Sequence, residues 1–211
     1  KRQLQIDLVG ATSSPQGTPN SRATSPRRAV DLTQPPGRDF RTRDARLPPL
    51  EASRTHRVDL TVRERELEVA PATTLAAMTY NGQFMGPVLQ ARLGDRMQVH
   101  LVNDGSMGHS IDFHASRASP DTTMRTISPG QSLDVEFTID HAGIWLYHCS
   151  TMPMSAHIAA GMFGALIVAP ADLPTVDRQY VLVQSETYLA EQNNHPVDKG
   201  NIADEKVDLT M

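Results

Sequence analysis

From Ser132 to Ile139 the chain alternates without a break, with Leu133, Val135, Phe137 and Ile139 apolar and Ser132, Asp134, Glu136 and Thr138 polar. A period of two places every apolar side chain on one face of an extended strand, and a sheet with one buried and one wetted face satisfies it. The same alternation recurs in Val58, Leu60 and Val62 around Asp59 and Thr61, and in Met97, Val99 and Leu101 around Gln98 and His100. Two shorter runs, 144–149 and 165–168, read as further strands. Turn signals separate them: Asn81-Gly82, Gly86-Pro87, Asn103-Asp104-Gly105, Ser128-Pro129-Gly130 and His141-Ala142-Gly143. No helical period of comparable strength is present, so the segment from about residue 56 to 172 predicts an all-β sandwich.

The flanks read differently. Residues 1–55 hold seven of the fifteen prolines, and ten Lys/Arg against five Asp/Glu give a local charge of +5 in a chain whose net charge is −4. Stretches such as Gln34-Pro35-Pro36-Gly37 sustain neither helix nor ladder pairing, so this segment predicts an extended, mostly unpaired arm or linker. After Pro174 one more strand is expected at 179–184, then a polar, irregular stretch. Residues 173–211 are too few for a second sandwich and read as the beginning of an incomplete second domain. The negative net charge argues against a nucleic-acid binder, and no apolar run is long enough for a membrane-spanning helix.

A single cysteine, Cys149, excludes an internal disulfide and leaves three roles for it: inert core thiol, nucleophile or metal ligand. Its surroundings favour the last. Cys149, His157 and Met162 fall within fourteen residues, as on a loop wrapping one metal between two strands, and His109 arrives from a distant strand. Two imidazoles, a thiolate and a weak axial thioether are the ligand set of a blue-copper electron-transfer site. Strand parity adds a second group. His148 and Cys149 are neighbours and point to opposite faces, whereas Asp112 and His114 share a face. His109 and Cys149 then face inward, while Asp112, His114 and His148 project together on the other side, so that a single peptide link joins two sites. Zinc bound by the Cys/His set and a cysteine nucleophile with a histidine base are the rivals. The first more often uses closely spaced Cys pairs, and the second leaves Met162 and the His/Asp group unexplained.

These residues resemble a known family. From about Val58 to Val168, and weakly on into 177–189, the chain is similar to the first cupredoxin domain of copper-containing nitrite reductases, within the wider multicopper oxidase family. The likeness is carried by Ala77-Met78-Thr79-Tyr80-Asn81-Gly82, Gly86-Pro87, Leu93-Gly94-Asp95, the segment His109–His114 and Tyr147-His148-Cys149. The resemblance implies a Greek-key cupredoxin sandwich followed by the start of a second cupredoxin-like domain. It implies that His109, Cys149, His157 and Met162 bind a type 1 copper and that His114 and His148 are two of three ligands of a type 2 copper. Asp112 would be the acid that hydrogen-bonds nitrite and delivers protons. The implied reaction is one-electron reduction of nitrite to nitric oxide and water, with a small cupredoxin or cytochrome as electron donor. The implied assembly is a homotrimer at the periplasmic or extracellular face of the membrane.

The sequence departs from the family in two ways. Cys149 and His157 are eight residues apart, one fewer than the family's spacing. The third type 2 ligand and a second catalytic histidine belong to the family's second domain, and the spare histidines His100, His141 and His195 sit in no matching motif. The expectation is therefore a fragment or ordered part of a larger enzyme. The alternatives are a cupredoxin-type electron carrier with the first site alone and a laccase-like oxidase. The latter is disfavoured because Ser150 follows Cys149 and no His-x-His pair occurs.

Overall fold

The computed structural model describes residues 31–211 apart from 39, 41, 48, 175 and 191–195. Among these residues ten strands and three short helices follow in the order β1 (Thr55–Ala70), β2 (Thr73–Tyr80), β3 (Leu89–Arg92), β4 (Arg96–Asn103), β5 (Asp112–Phe113), α1 (Pro120–Thr123), β6 (Ser132–Thr138), β7 (Gly143–His148), α2 (Met154–Ala159), β8 (Phe163–Ala169), β9 (Glu186–Thr187), α3 (Lys199–Ala203) and β10 (Leu209–Thr210). Two four-stranded sheets, ordered β2-β1-β4-β6 and β3-β8-β7-β5, form the sandwich. Among the described residues no helix is long and apolar enough to cross a membrane.

The alternating segments lie where their period places them. Leu133, Val135 and Phe137 are buried along β6 and their polar neighbours are exposed. In β4, Met97, Val99 and Leu101 turn inward. They meet Ala91, Phe113, Tyr147, Leu166 and Val168 of the facing sheet in one continuous core. Full burial of such a side chain stabilises the fold by roughly 1.5–3 kcal/mol. Tyr147 anchors the centre. Its ring stacks on Phe113 with centroids 5.4 Å apart, leans on Tyr80 at 5.8 Å, and its hydroxyl donates to the Pro87 carbonyl at 2.6 Å.

β1 runs far beyond its apolar alternation. Its first half pairs in parallel with β4, from Thr55↔Arg96 to Val62↔Asn103, and its second half pairs with β2 alone. That half carries the charged run Arg63-Glu64-Arg65-Glu66.

One expectation is corrected. The 179–184 segment forms no strand: Tyr180 makes an isolated bridge to Arg46, flanked by Leu47 N to Gln179 O (2.9 Å) and Val181 N to Ala45 O (2.8 Å). Among the described residues its partner is the short stretch around Ala45, and pairing stops where that stretch ends. The described part of the N-terminal arm is extended and touches the sandwich at a few points. Besides this bridge, Gly37 N donates to Glu68 (2.8 Å), and the Arg43 guanidinium donates to Gln83 and to the Met85 carbonyl. Residues 1–30 of the arm lie outside the described residues.

Candidate metal centres

The first cluster is assembled at one end of the core. Cys149 follows β7 directly, and its backbone N–H donates to the Met162 carbonyl at 3.0 Å. Met162 N in turn donates to the His157 carbonyl at 3.1 Å, so one backbone link ties Cys149, Met162 and His157 together. His157 is supplied by α2, a helix in the loop that period-two reading leaves featureless. His109 arrives from elsewhere, in an isolated bridge with Ile127 (His109 N to Ile127 O 3.1 Å, Ile127 N to His109 O 2.8 Å). Residues 109–114 are therefore not one strand. The chain pairs with Ile127 at His109 and transfers to β7 only at Asp112.

Cys149 Sγ lies 3.4 Å from His157 Nδ1 and 4.0 Å from His109 Nδ1, and all three residues are buried. Bonds of about 2.3 Å to sulfur and 2.0 Å to nitrogen on one tetrahedral ion separate the two donors by roughly 3.5 Å, so these positions fit a shared metal. Met162 is fully buried in the same core cluster as Cys149. Burial pushes the Cys149 thiol up, but hydrogen bonding from His157 and from the backbone at Ser110 and Thr151 outweighs it and holds the thiol below its ordinary value. Burial holds the His109 imidazole down against the pull of Glu64. A thiol inclined to ionise beside a neutral imidazole is what a soft transition metal requires.

The second cluster lies on the opposite side of the β7 backbone. Asp112 and His148 are directly paired across β5 and β7, and His114 continues the ladder through its N–H to Leu146 O at 3.1 Å. His114 Nε2 is 3.0 Å from His148 Nε2 and 3.6 Å from Asp112 Oδ2. His148 Nδ1 lies 3.0 Å from the Cys149 carbonyl. A carbonyl only accepts, so Nδ1 carries the proton and Nε2 presents its lone pair to His114. Two imidazole nitrogens at this separation suit one first-row ion with bonds of about 2.0 Å. Asp112 Oδ1 accepts from the Thr123 hydroxyl at 3.1 Å, leaving Oδ2 toward the histidines.

Every expected site residue thus falls into one of two groups: His109, Cys149 and His157 with Met162 alongside, and Asp112, His114 and His148. The spare histidines do not join them. His100 Nδ1 pairs with Asp134 at 2.7 Å on the wetted sheet face, and His141 packs against Trp145 with centroids 5.6 Å apart. His195 lies outside the described residues. Sequence reasoning passed over Glu64, 3.2 Å from His109 Nε2, as well as Thr123 and Ser110, whose hydroxyl lies 3.8 Å from Cys149 Sγ. For Thr123 and Ser110 no residue pattern signals the contact. Glu64 has one: it shares strand parity with Leu60 and Val62, a carboxylate on the core-facing side of β1.

Fold and clusters define the class, a β-sandwich offering two adjoining groups of candidate metal ligands one peptide bond apart. Residues 61–172, more than half the chain, match the family model described as "Multicopper oxidase", and the chain belongs to that family. It is 36% identical over 144 residues to the copper-containing nitrite reductase of Pseudomonas chlororaphis, a match covering 62% of this chain and 40% of that protein. It is 32% identical over 194 residues to the copper-containing nitrite reductase of Rhizobium sullae, covering 87% and 50%. Among solved structures, the copper nitrite reductase from Nitrosomonas europaea superposes with a TM-score of 0.67 at 36% identity, covering 74% of this chain and 55% of that one. The chain spans about half the length of the curated relatives it matches. The sandwich is accordingly a cupredoxin fold, and copper is the metal for which these relatives are named.

Proposed function

We propose that this chain is the copper-bearing first domain of a nitrite reductase, with His109, Cys149, His157 and Met162 holding a type 1 copper and His114 and His148 contributing to a type 2 copper. One observation carries the reading: Cys149 belongs to the first cluster and its chain neighbour His148 to the second. When bound, copper supplies one-electron redox chemistry at both clusters and Lewis acidity at the second.

The chain's own residues do the rest. Cys149 and His148 provide a covalent path between the clusters. The Cys149 carbonyl keeps His148 in the tautomer whose Nε2 carries a free lone pair. Reduction of nitrite takes one electron and two protons, breaks one N–O bond, and yields nitric oxide and water. Asp112 is the proton-handling group of the second cluster, because Oδ2 is turned toward His114 while Thr123 holds Oδ1. His114 is part-exposed, and on this side we place the entry of nitrite and of a third ligand from a neighbouring copy in a homotrimer. Residues 173–211 would open the second cupredoxin-like domain. The expected setting is the periplasm or an extracellular face, with a small cupredoxin or cytochrome as donor.

A second reading has its own observation. The second cluster offers two imidazoles and one acid among the described residues, so this chain by itself also suits an electron carrier that uses only the first cluster. Adding nitrite to the copper-loaded, chemically reduced protein separates the two. Release of nitric oxide supports the reductase. Electron exchange with a cytochrome while nitrite stays intact supports the carrier.

A further inference from the structure

Strand parity sets Glu64 apart from the other charges of β1. Alternation places Leu60 and Val62 inward, both fully buried, and Glu64 continues the same face just where the apolar run ends. A carboxylate on a core-facing position is costly unless its oxygens are occupied, and here they are. Both oxygens accept from Ser106 N, at 3.0 and 2.7 Å, and Oε1 also lies 3.2 Å from His109 Nε2. The loop leading to His109 folds over this carboxylate so closely that a Cβ at Gly105 would come within 2.7 Å of Oε1. His109 itself is fully buried, while the Glu64 side chain keeps 29% of its exposure, so Glu64 lies between the ring and solvent.

A carboxylate accepts hydrogen bonds and donates none when ionised, so the His109 nitrogen facing it carries the proton. The other nitrogen, Nδ1, is the one turned to Cys149 Sγ. An anionic acceptor behind a ligand imidazole fixes its tautomer and raises its basicity, which strengthens its hold on the more highly charged oxidation state of a metal.

We propose that Glu64 is the positioning residue of the first cluster: it holds His109 with the proton on Nε2 and Nδ1 toward Cys149, and its charge biases the cluster toward oxidised copper. This rests on the copper reading of the cluster given above. The alternative is that Glu64 only pins the Gly105–Ser106 turn. Its contact with Ser106 would serve that role, but the contact with His109 would then have no consequence at the metal.

Two measurements test it. In copper-free wild-type protein, nitrogen-15 magnetic resonance should find the His109 proton on Nε2. A proton on Nδ1 overturns the proposal without any variant. In the copper-loaded protein, Glu64→Gln keeps the shape and an acceptor but removes the charge. Its copper(II) affinity should fall roughly 10-fold with little change in copper(I) affinity, which raises the potential of this one-electron couple by about 59 mV. The thiolate-to-copper absorption should persist. A folded Glu64→Gln protein with the absorption and an unmoved potential overturns this proposal alone. Absence of the absorption in the wild type overturns the copper reading and this proposal with it.

Discussion

The Cys149 carbonyl oxygen lies 3.0 Å from Nδ1 of His148, its own chain neighbour, while the two side chains leave the backbone toward different clusters. One residue thus provides the sulfur of the first cluster and the acceptor that sets the imidazole tautomer of the second. Because the segment is extended, successive side chains must diverge, so adjacency in sequence becomes two sites sharing one peptide link.

That divergence makes the centres separable. Cys149→Ala should abolish the thiolate-to-copper visible absorption while copper remains bound by His114 and His148. Visible and paramagnetic resonance spectra of the loaded variant check both halves, and loss of both coppers together would contradict independent ligand sets.

Asp112→Asn should retain both coppers and lower nitrite turnover by roughly 100-fold, the lower range for loss of a positioned proton donor. Thr123→Val removes the hydroxyl that occupies Oδ1 and should lower turnover by a smaller factor. Single-turnover kinetics on copper-replete protein are the check. A chemical step at the wild-type rate in Asp112→Asn would exclude the proton role.

Gly164 lies beneath the Tyr147 ring, and a Cβ there would come within 2.3 Å of the ring and its hydroxyl. The ring cannot yield easily, being stacked on Phe113 and hydrogen-bonded to Pro87. Gly164→Ala should therefore destabilise the fold by about 2–3 kcal/mol, toward the upper range for overpacking. Because Tyr147 precedes His148, the second cluster should also bind copper more weakly. Denaturant unfolding and copper titration measure the two effects.

Asp95 is buried, with His56 Nε2 at 2.7 Å, Arg92 N at 2.8 Å and Arg54 Nε at 2.8 Å. Burial pushes its carboxyl up, but the His56 hydrogen bond, the Arg92 backbone N–H and the Arg54 charge outweigh it and hold the carboxyl below its ordinary value. A depressed folded-state pKa contributes stability that is fully present above the unfolded value of about 3.9 and is lost as pH falls through the folded value. Asp95→Asn should cost about 2–3 kcal/mol at neutral pH, the upper range for hydrogen bonds to a charged group, with the gap to wild type closing below about pH 4. Paired unfolding curves at the two pH values test this, and a gap constant with pH would contradict it.

Much of this was legible in the sequence because strands translate spacing into direction. The parity of His148 and Cys149, and of Asp112 and His114, separates the two clusters correctly, and the inward faces of β4 and β6 follow from alternation alone. What was not legible depends on where partners stop. The second half of β1 carries a charged run, so no apolar alternation marks it. Residues 179–184 have the composition of a strand but, among the described residues, find one bridging partner. His109 lies outside the β5 ladder because the chain changes partner between it and Asp112, a switch that no spacing encodes. Thr123 reaches the site at the end of α1 and looks like an ordinary surface residue in the sequence, whereas Glu64 is signalled only by its parity with Leu60 and Val62 on β1.

The most direct test of paired copper centres is copper stoichiometry with electron paramagnetic resonance on the oxidised, copper-loaded protein. Near two coppers per chain are expected, with two distinct signals: one from a thiolate-bound copper that Cys149→Ala removes, and one from an imidazole-bound copper that survives it. A loaded protein with no thiolate-type signal would contradict the central claim.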